Sequence, residues 1–397
     1  VNLDGKPAVT RLEKQIDYFW DQNAPIPGTG FNSFSVRWSG EIVAPKDGNY
    51  KLVLVNDSMA KLFVNGKLKI NNWTYEIVKG KTASLDMKAG ERYKIRLEYQ
   101  AGFGGRGTVK LGWISPSGGG IARAVAAAKK SDVAVVIIGL DKRFEGEGRD
   151  RDNMDVPGLQ NELVERVAAA NPRTVVVLVN GTAMQISSWV GKVASIVEAW
   201  YPGEEGGRAI GEILFGDVNP SGKLPVTFPP SWEKSPAYAN YPGKDGKVYY
   251  KEGVFVGYRY FDTKGIAPIF PFGHGLSYTQ FKYEGLKINP AGGGDKVAEV
   301  SLTVKNVGKR EGKEVVQLYV GDPVSSVPRP LRELKGIRKI NLKPGESAKV
   351  SFTLDRRALS FYDVTKNAWV AEPGLFNIEV GSSSRDIRQK GTFTLKK

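Results

Sequence analysis

The sequence contains no cysteine and only one histidine, His274, among its 397 residues. Without cysteine the chain has no disulfide bonds and no thiolate metal sites. A single histidine also excludes a metal site built from several histidine ligands. These absences point away from the common classes of transition-metal enzyme.

Long apolar runs and runs of basic residues are also absent. No uninterrupted apolar stretch reaches the roughly 18 residues that a membrane helix needs, so we predict no membrane span. Lys and Arg number 57 against 42 Asp and Glu, a formal charge of +15 that makes anionic partners worth considering. The basic residues are nevertheless scattered, without a nucleic-acid-binding motif, and we predict no nucleic-acid partner.

The chain does have enough apolar residues for several cores. Hydrophobic residues make up 41% of it and aromatic residues 10%, and its length suits two to four domains. It begins Val-Asn-Leu, with neither an initiator Met nor a signal segment, so we expect a processed or excised piece of a longer precursor.

Residues 1–116 show strand patterns. Polar residues alternate with apolar or aromatic ones in FSVRWSGEIVAP, NYKLVLVN, AKLFVNGKLKI and RYKIRLEYQ, with Asp-Gly, Asn-Gly and Ala-Gly turns between them. This pattern predicts an all-β module, which ends before the glycine-rich stretch SPSGGG.

Residues 117–283 alternate helix and strand patterns. The helix-like segments are ARAVAAAKKSD, PGLQNELVERVAAANP and GEEGGRAIGEILFGD, and the strand-like ones are VAVVIIGL, TVVVLVN and ASIVEAW. Apolar strands alternating with amphipathic helices predict an α/β sandwich, a mostly parallel sheet with helices on both faces.

Residues 284–397 return to a β pattern, in AEVSLTVKNVG, GKEVVQLYVGD, AKVSFTLD and QKGTFTLKK. Short strands separated by turn residues predict a β-sandwich of immunoglobulin or fibronectin type III-like form. The sequence thus predicts three successive modules.

Two glutamates, Glu145 and Glu147, stand in the segment RFEGEGRDR, directly after the predicted strand VAVVIIGL. Ligand sites in open α/β sheets lie outside the carboxyl ends of the strands, so this position suits chemistry. Gly146 and Gly148 flank Glu147 and let a ligand approach the backbone closely. Nearby arginines could lower the glutamate pKa, or orient the side chain while burial raises that pKa. A solvated loop held by Arg–Glu pairs explains the composition equally well.

The segment FEGEGRDRDNMDVPGLQNELV resembles the acid/base segment of glycoside hydrolase family 3, in which a glutamate precedes Gly-x-Asp-Arg. Further stretches similar to that family follow in order: VVVLVNGTAMQISSW, SIVEAWYPGEEGGRAIGEILFGDVNPSGKLPVTFP, GYRYFD, FPFGHGLSYTQF and VKNVGKREGKEVVQLYVGD. The resemblance covers about residues 121–397. It implies a secreted or periplasmic, retaining, exo-acting β-glucosidase that needs no cofactor and acts on β-linked oligosaccharides or glucosides.

The resemblance also implies the roles of individual residues. Glu147 corresponds to the general acid/base, with Glu145 as the alternative, and the adjacent Arg149, Asp150 and Arg151 would bind substrate or position the loop. The family's nucleophile is an aspartate on a (β/α)8 barrel, and this sequence contains no such barrel. We therefore expect either a second polypeptide that carries the barrel or a fragment without turnover of its own.

The first module, with APKDGNYKLVLVNDSMAKLFVNGK, resembles the protective-antigen-type β-barrel domain that some family members carry as an insertion. The remaining strands of the α/β sandwich should then come from the absent part. Trp73 would stack on a sugar, although a half-buried structural aromatic is the more common case. Relatives of this module bind calcium through an Asp-Asp pair, but Asn56-Asp57 lacks one charge, so we expect no metal.

Two alternatives to a β-glucosidase stay open. A β-xylosidase or another exo-glycosidase of the family is one, because the missing barrel would set most of the sugar specificity. A non-catalytic carbohydrate-binding or adhesion fragment is the other.

Overall fold

The computed structural model describes ten stretches of the chain: 3–20, 26, 34–74, 79–101, 107–116, 119–141, 144–148, 150–151, 153–293 and 295–396. The chain divides into two compact units. The first unit comprises Val1–Asp152, Val156–Gly181 and Ser188–Trp200, and the second comprises Asn153–Asp155, Thr182–Ser187 and Tyr201–Lys397. The boundaries between the three modules, after residues 116 and 283, remain predictions from the sequence.

The amino-terminal part of the first unit consists of β-strands. They are β1 (Asp17–Trp20), β2 (Ser35–Val43), β3 (Gly48–Asn56), β4 (Met59–Val64), β5 (Lys67–Asn72), β6 (Lys79–Met87), β7 (Arg92–Gln100) and β8 (Gly107–Ile114). They form two antiparallel sheets, in the orders β1-β8-β3-β6 and β2-β7-β4-β5.

Alternate side chains of these strands form one apolar core. Tyr50, Leu54, Leu62, Leu97 and Tyr99 are all fully buried in it. The predicted all-β module is therefore present. Its described strands lie in two separate sheets, a sandwich rather than the closed barrel that the resemblance implies, because no ladder joins the sheet edges within the described residues.

The rest of the first unit alternates helices and strands. The elements are α1 (Gly119–Ala128), β9 (Ala134–Gly139), α2 (Gln160–Ala170), β10 (Thr174–Val179) and β11 (Ser195–Glu198). The three strands form a parallel sheet in the order β11-β10-β9, as the sequence predicts.

One face of this parallel sheet is packed and the other is open at β9. Ala134, Val136 and Ile138 are buried on the face that α2 contacts. Val135 and Ile137, on the opposite face, are 47% and 62% exposed. The prediction of helices on both faces is wrong at β9, because no element in the described part of the chain covers these two side chains.

The second unit contains short helices and a β-sandwich. The helices are α3 (Gly206–Phe215), α4 (Tyr258–Thr263) and α5 (Arg356–Leu359). The strands are β12 (Phe281–Gly293), β13 (Lys296–Asn306), β14 (Gly312–Gly321), β15 (Glu333–Leu342), β16 (Ser347–Asp355), β17 (Phe361–Asp363), β18 (Ala368–Val370), β19 (Gly374–Gly381) and β20 (Ile387–Leu395). Helix α3 ends at Gly216, whose φ of 81° is the left-handed conformation that favours glycine.

The sandwich has sheets in the orders β12-β13-β16 and β15-β14-β19-β20, with the hairpin β17-β18 beside them. Val300, Val316, Leu318, Ile378 and Val380 are fully buried in its core. Burial alternates along β13 and β19, which is how an antiparallel sandwich separates its core from solvent, whereas β14 is buried at every residue from Val316 to Gly321. The predicted immunoglobulin or fibronectin type III-like sandwich is present.

Candidate active site

The carboxyl ends of the three parallel strands meet at one edge of the sheet. β9, β10 and β11 end at Gly139, Val179 and Glu198. The amide of Leu140 donates to the carbonyl of Val179 over 2.8 Å, so β9 stays paired with β10 up to its last residue. The glutamate loop therefore starts at the edge where ligand sites of α/β sheets lie.

The loop after β9 folds back at Asp141. The amides of Phe144 and Glu145 both donate to the carbonyl of Asp141, over 2.8 and 3.1 Å. Gly148 has a φ of +71°, which a residue with a side chain rarely adopts. Because of this turn, Glu145 and Glu147 lie in different environments.

Glu145 lies inside the loop and is held by its neighbours. Its Oε2 accepts a hydrogen bond of 2.8 Å from the amide of Gly181, which follows β10. Its Oε1 lies 3.9 Å from Nη1 of Arg151, and the Glu145 side chain is only 12% exposed. The carboxylate of Glu145 thus ties the loop after β9 to the loop after β10.

Glu147 lies two residues further along the turn and is exposed. A Cβ added at Gly146 or Gly148 would meet no atom within 4 Å, so the backbone on both sides of Glu147 borders open space. Of the two carboxylates, Glu147 is the more exposed to solvent.

A third carboxyl group, Glu198, ends β11, and the sequence reasoning missed it. Its Oε1 accepts a hydrogen bond of 3.0 Å from the amide of Trp200, and its Oε2 one of 3.4 Å from Nδ2 of Asn180. Burial, which is the largest cause, and the nearby Glu145 carboxylate together raise the pKa of Glu198 to about 7, although the two hydrogen bonds lower it. Its position after an apolar parallel strand, like that of Glu145, is the signal that could have identified it.

The structure describes some of the other predicted site residues and not others. Asp150 is exposed beside the loop, while Arg149 lies outside the described residues. Arg151 lies beside Glu145, with 3.9 Å between its Nη1 and Oε1 of the glutamate. Trp73 directly follows β5, is half-buried, and carries Nζ of Lys61 over its ring at 4.5 Å from the centroid. Lys61 therefore occupies one face of the Trp73 ring, and a sugar would have to use the other face.

The described residues of the first sandwich and of the helices offer neither a cluster of metal ligands nor a membrane-spanning helix. Within the described stretches, no group of three or more His, Asp or Glu side chains is arranged to hold a metal ion. Asp57 uses its Oδ1 inside the first sandwich, where it accepts from the amide of Thr108 over 2.8 Å and from the hydroxyl of Tyr99 over 3.1 Å. No helix in the described part is both long and apolar enough to cross a membrane.

Comparison with known proteins identifies the family. A family model described as the glycosyl hydrolase family 3 C-terminal domain matches residues 37–258, more than half of the chain. The chain belongs to glycosyl hydrolase family 3. A model of the fibronectin type III-like domain also matches, over residues 314–384 of the carboxyl-terminal sandwich. The resemblance drawn from the sequence motifs is thereby confirmed.

Several family 3 relatives are β-glucosidases. A β-glucosidase from Rhizobium radiobacter is 36% identical over 97% of this chain, and thermostable β-glucosidase B from Acetivibrio thermocellus is 52% identical over 67% of it. The crystal structure of a Kluyveromyces marxianus β-glucosidase in complex with glucose covers 94% of this chain at 36% identity, with a TM-score of 0.73.

This chain is shorter than those family 3 relatives. It spans 49% of the Rhizobium protein, 35% of the Acetivibrio protein and 46% of the Kluyveromyces chain. Roughly half or more of each relative thus has no counterpart in this sequence.

Proposed function

We propose that this chain is the carboxyl-terminal part of a retaining, exo-acting β-glucosidase and supplies its general acid/base, Glu147. The observation that supports this assignment most is the contrast between the two loop glutamates. Glu145 is held by Gly181 and Arg151, whereas Glu147 is exposed between two glycines. An acid/base must reach the glycosidic oxygen and then a water molecule, so it needs the open position.

In this proposal Glu147 acts twice. It first protonates the leaving oxygen while a second carboxylate attacks the anomeric carbon, and it then takes a proton from the water that releases the sugar. The two carboxyl groups of a retaining enzyme lie about 5 to 5.5 Å apart, on opposite sides of the scissile bond. Asp141 and Asp150 belong to the same loop as Glu147, and neither can readily face it across a sugar ring.

The nucleophile is therefore assigned to a second polypeptide that carries a (β/α)8 barrel. This assignment is supported by the length of the relatives, of which this chain spans at most about half. Alone, the chain would hold half of an active site and would not turn over substrate.

The remaining site residues receive supporting roles. Arg151 positions the loop through Glu145, and Arg149 and Asp150 bind substrate beside Glu147. Trp73 offers its ring to a sugar on the face opposite Lys61. Glucose is proposed over xylose because the Rhizobium, Acetivibrio and Kluyveromyces relatives are β-glucosidases.

Substitution of Glu147 tests the acid/base assignment. The chain would be co-expressed with the half of the Rhizobium radiobacter β-glucosidase that lies outside the match. For Glu147→Gln we expect kcat/KM on glucosides with poor leaving groups to fall by about 10²–10⁴-fold. Glucosides with activated leaving groups need no proton donor for the first step, and azide should restore their turnover because it attacks without a general base.

Matched variants and a reference complex serve as controls. The two halves of the Rhizobium β-glucosidase, co-expressed as separate polypeptides, must form an active complex. This reference shows that co-expression of separate halves yields a folded enzyme. Glu145→Gln should lower stability without rescue by azide, and Glu162→Gln, on the exposed face of α2, should leave the kinetics unchanged. Full activity of Glu147→Gln would exclude the acid/base role and favour a non-catalytic carbohydrate-binding fragment.

A further inference from the structure

The outer face of the sheet β2-β7-β4-β5 carries more basic than acidic side chains. Leu62, Leu97 and Tyr99 point into the core of the first sandwich, so the residues next to them along β4 and β7 point outwards. The charged residues on the outer face of β2, β7 and β4 are Arg37, Glu41, Lys61, Arg92, Lys94, Arg96 and Glu98. Five of these side chains are basic and two are acidic, so this face has a positive charge.

The outer face of the other sheet, β1-β8-β3-β6, has no such excess. Its described outward charged side chains are Asp17, Lys51, Asp86 and Lys110, two acidic and two basic. Both sheets belong to the same sandwich and differ in the charge of their outer faces. The positive charge therefore distinguishes one sheet from the other.

Two arginines of the positive face are held in place by the same carboxylate. Nε of Arg37 and Nε of Arg96 lie 3.3 and 3.4 Å from Oε1 of Glu98. The guanidinium carbon of Arg96 also lies 4.2 Å from the ring centroid of Phe63. The arginine side chains are 42% and 45% exposed, and each guanidinium has five N–H donors. One shared carboxylate therefore leaves donors of both arginines accessible to a ligand.

The other cations of the face lie on the same strands. The Arg92 side chain is 70% exposed and pairs with Glu41 over 3.1 Å, and Lys94 is exposed two residues further along β7. Nζ of Lys61 lies over the ring of Trp73. Neighbouring strands lie about 4.8 Å apart and alternate residues of one strand about 7 Å apart, so a polymer lying on this face would contact several cations at once.

We propose that this face binds an acidic polysaccharide, a polymer whose sugars carry carboxylates, and holds the protein on it. The support for this occupant is charge complementarity. Three of the five cations are arginines, whose planar guanidinium matches the two oxygens of a carboxylate. A linear polymer also suits a sheet face on which cations recur along and across the strands.

A polysaccharide is chosen over other polyanions because the proposed function gives the chain a carbohydrate substrate. The inference rests on that part of the proposed function alone, and it needs neither Glu147 nor the second polypeptide. Nucleic acid is also a polyanion, but the sequence has no nucleic-acid-binding motif. Binding of nucleic acid to this face is an outcome of the test.

Binding of the chain to polygalacturonate tests the proposal, because every sugar of this linear polymer carries a carboxylate. The matched probe is the same polymer with its carboxylates methyl-esterified, which removes the charge and keeps the sugar backbone. We expect the esterified polymer to bind at least about tenfold more weakly. Binding of polygalacturonate should also weaken as salt is added, because salt screens exposed charges.

Paired variants test whether this sheet is the binding face. Arg92→Gln combined with Lys94→Gln should weaken polygalacturonate binding about tenfold, because two exposed cations of the face are lost. Lys51→Gln combined with Lys110→Gln removes two cations from the opposite sheet and should change binding less than about twofold. In each pair of substitutions one cation belongs to an ion pair across the ladder. Both variants should unfold at the temperature of the unsubstituted chain, because all four substitutions are outside the core.

Each contrary outcome has a distinct meaning. Equal binding of the two polymers would exclude recognition of carboxylates, and equal loss in the two double variants would assign binding to the overall charge. Tighter binding of single-stranded DNA that depends on Arg92 and Lys94 would assign the face to nucleic acid. Loss of polygalacturonate binding in the complex with the Rhizobium half would show that the other polypeptide covers the face. Each of these results would overturn the proposal.

The same samples separate this inference from the proposed function. A co-expressed complex that hydrolyses glucosides while the chain fails to bind polygalacturonate would contradict only the polysaccharide-binding face. A chain that binds polygalacturonate while the complex has no turnover, with the Rhizobium reference active, would contradict only the proposed catalytic role.

Discussion

At the scale of residues, three glutamates near one sheet edge have different surroundings and so different chemistry. Glu145 is held by an amide and an arginine, and its carboxylate serves structure. Glu147 is exposed, which is the environment that its proposed acid/base role requires. Glu198 is half-buried, and this burial favours its neutral form.

The raised pKa of Glu198 predicts a pH dependence of stability for the isolated chain. The folded state holds this proton up to about pH 7, whereas the unfolded state loses it near the ordinary value of 4.5. Between these values the folded state binds more protons, so the free energy of unfolding should fall as pH rises and level off above pH 7. After allowance for partial exposure, the expected loss is about 1–2 kcal/mol.

Urea unfolding of Glu198→Gln at several pH values measures this contribution. The variant keeps an acceptor for the Trp200 amide and has no titratable group, so the fall in stability between pH 4.5 and 7 should be smaller by that amount. Glu162→Gln, whose carboxylate pairs with Arg166 in solvent, should behave like the unsubstituted chain. If the stability of Glu198→Gln varied with pH in the same way as that of the unsubstituted chain, the pKa of Glu198 would not be raised in the folded state.

The sequence predicted the location of the site better than the role of each glutamate. The apolar run before Glu145 and Glu147 places both at the carboxyl end of a parallel strand, which the structure confirms. Two residues apart and both next to glycine, they cannot be told apart by local sequence. The partner that distinguishes them, Gly181, lies 36 residues from Glu145 along the chain.

At the scale of elements, Gly139 is the last residue of β9 and connects this strand to the glutamate loop. Its amide and carbonyl are held by Gln160, and its missing side chain lets it approach β10 closely. A Cβ at this position would lie 1.8 Å from the carbonyl oxygen of Val179. The last residue before the glutamate loop therefore has to be glycine for β9 and β10 to stay paired.

Gly139→Ala should accordingly destabilise the chain by about 3 kcal/mol, because the contact can be relieved only by separating the two strands. Gly191→Ala is the control, since a Cβ there would meet no atom within 4 Å, and it should change stability by less than about 0.5 kcal/mol. The measurement is the free energy of unfolding in urea. Equal values for the two variants would contradict the close approach of Gly139 to Val179.

Element types followed from the sequence, whereas exposure did not. β-Branched runs gave β9, β10 and β11, and the helix patterns gave α1, α2 and α3. The run VAVVIIGL was predicted to lie in a sheet with helices on both faces, yet Val135 and Ile137 are exposed. An apolar composition indicates that a strand is most stable when its side chains are buried. It does not show which segment covers those side chains.

At the scale of the whole molecule, the two units correspond to about half or less of the length of the family 3 relatives. The first unit presents an acid/base candidate at the end of an incomplete parallel sheet. The second contains the fibronectin type III-like sandwich, which has a complete core of its own. In the proposed enzyme, this chain contributes the acid/base Glu147, and the barrel-bearing polypeptide contributes the nucleophile.

The most direct test of the account is to find which polypeptide becomes bonded to the sugar. An activated fluoroglucoside slows release of the covalent intermediate, because the fluorine disfavours the positive charge that develops in the transition state. After reaction of the co-expressed complex, intact-mass spectrometry of the two polypeptides should show the sugar on the barrel-bearing half and none on this chain. A sugar covalently attached to this chain would place the nucleophile within it and contradict the division of the active site between two polypeptides.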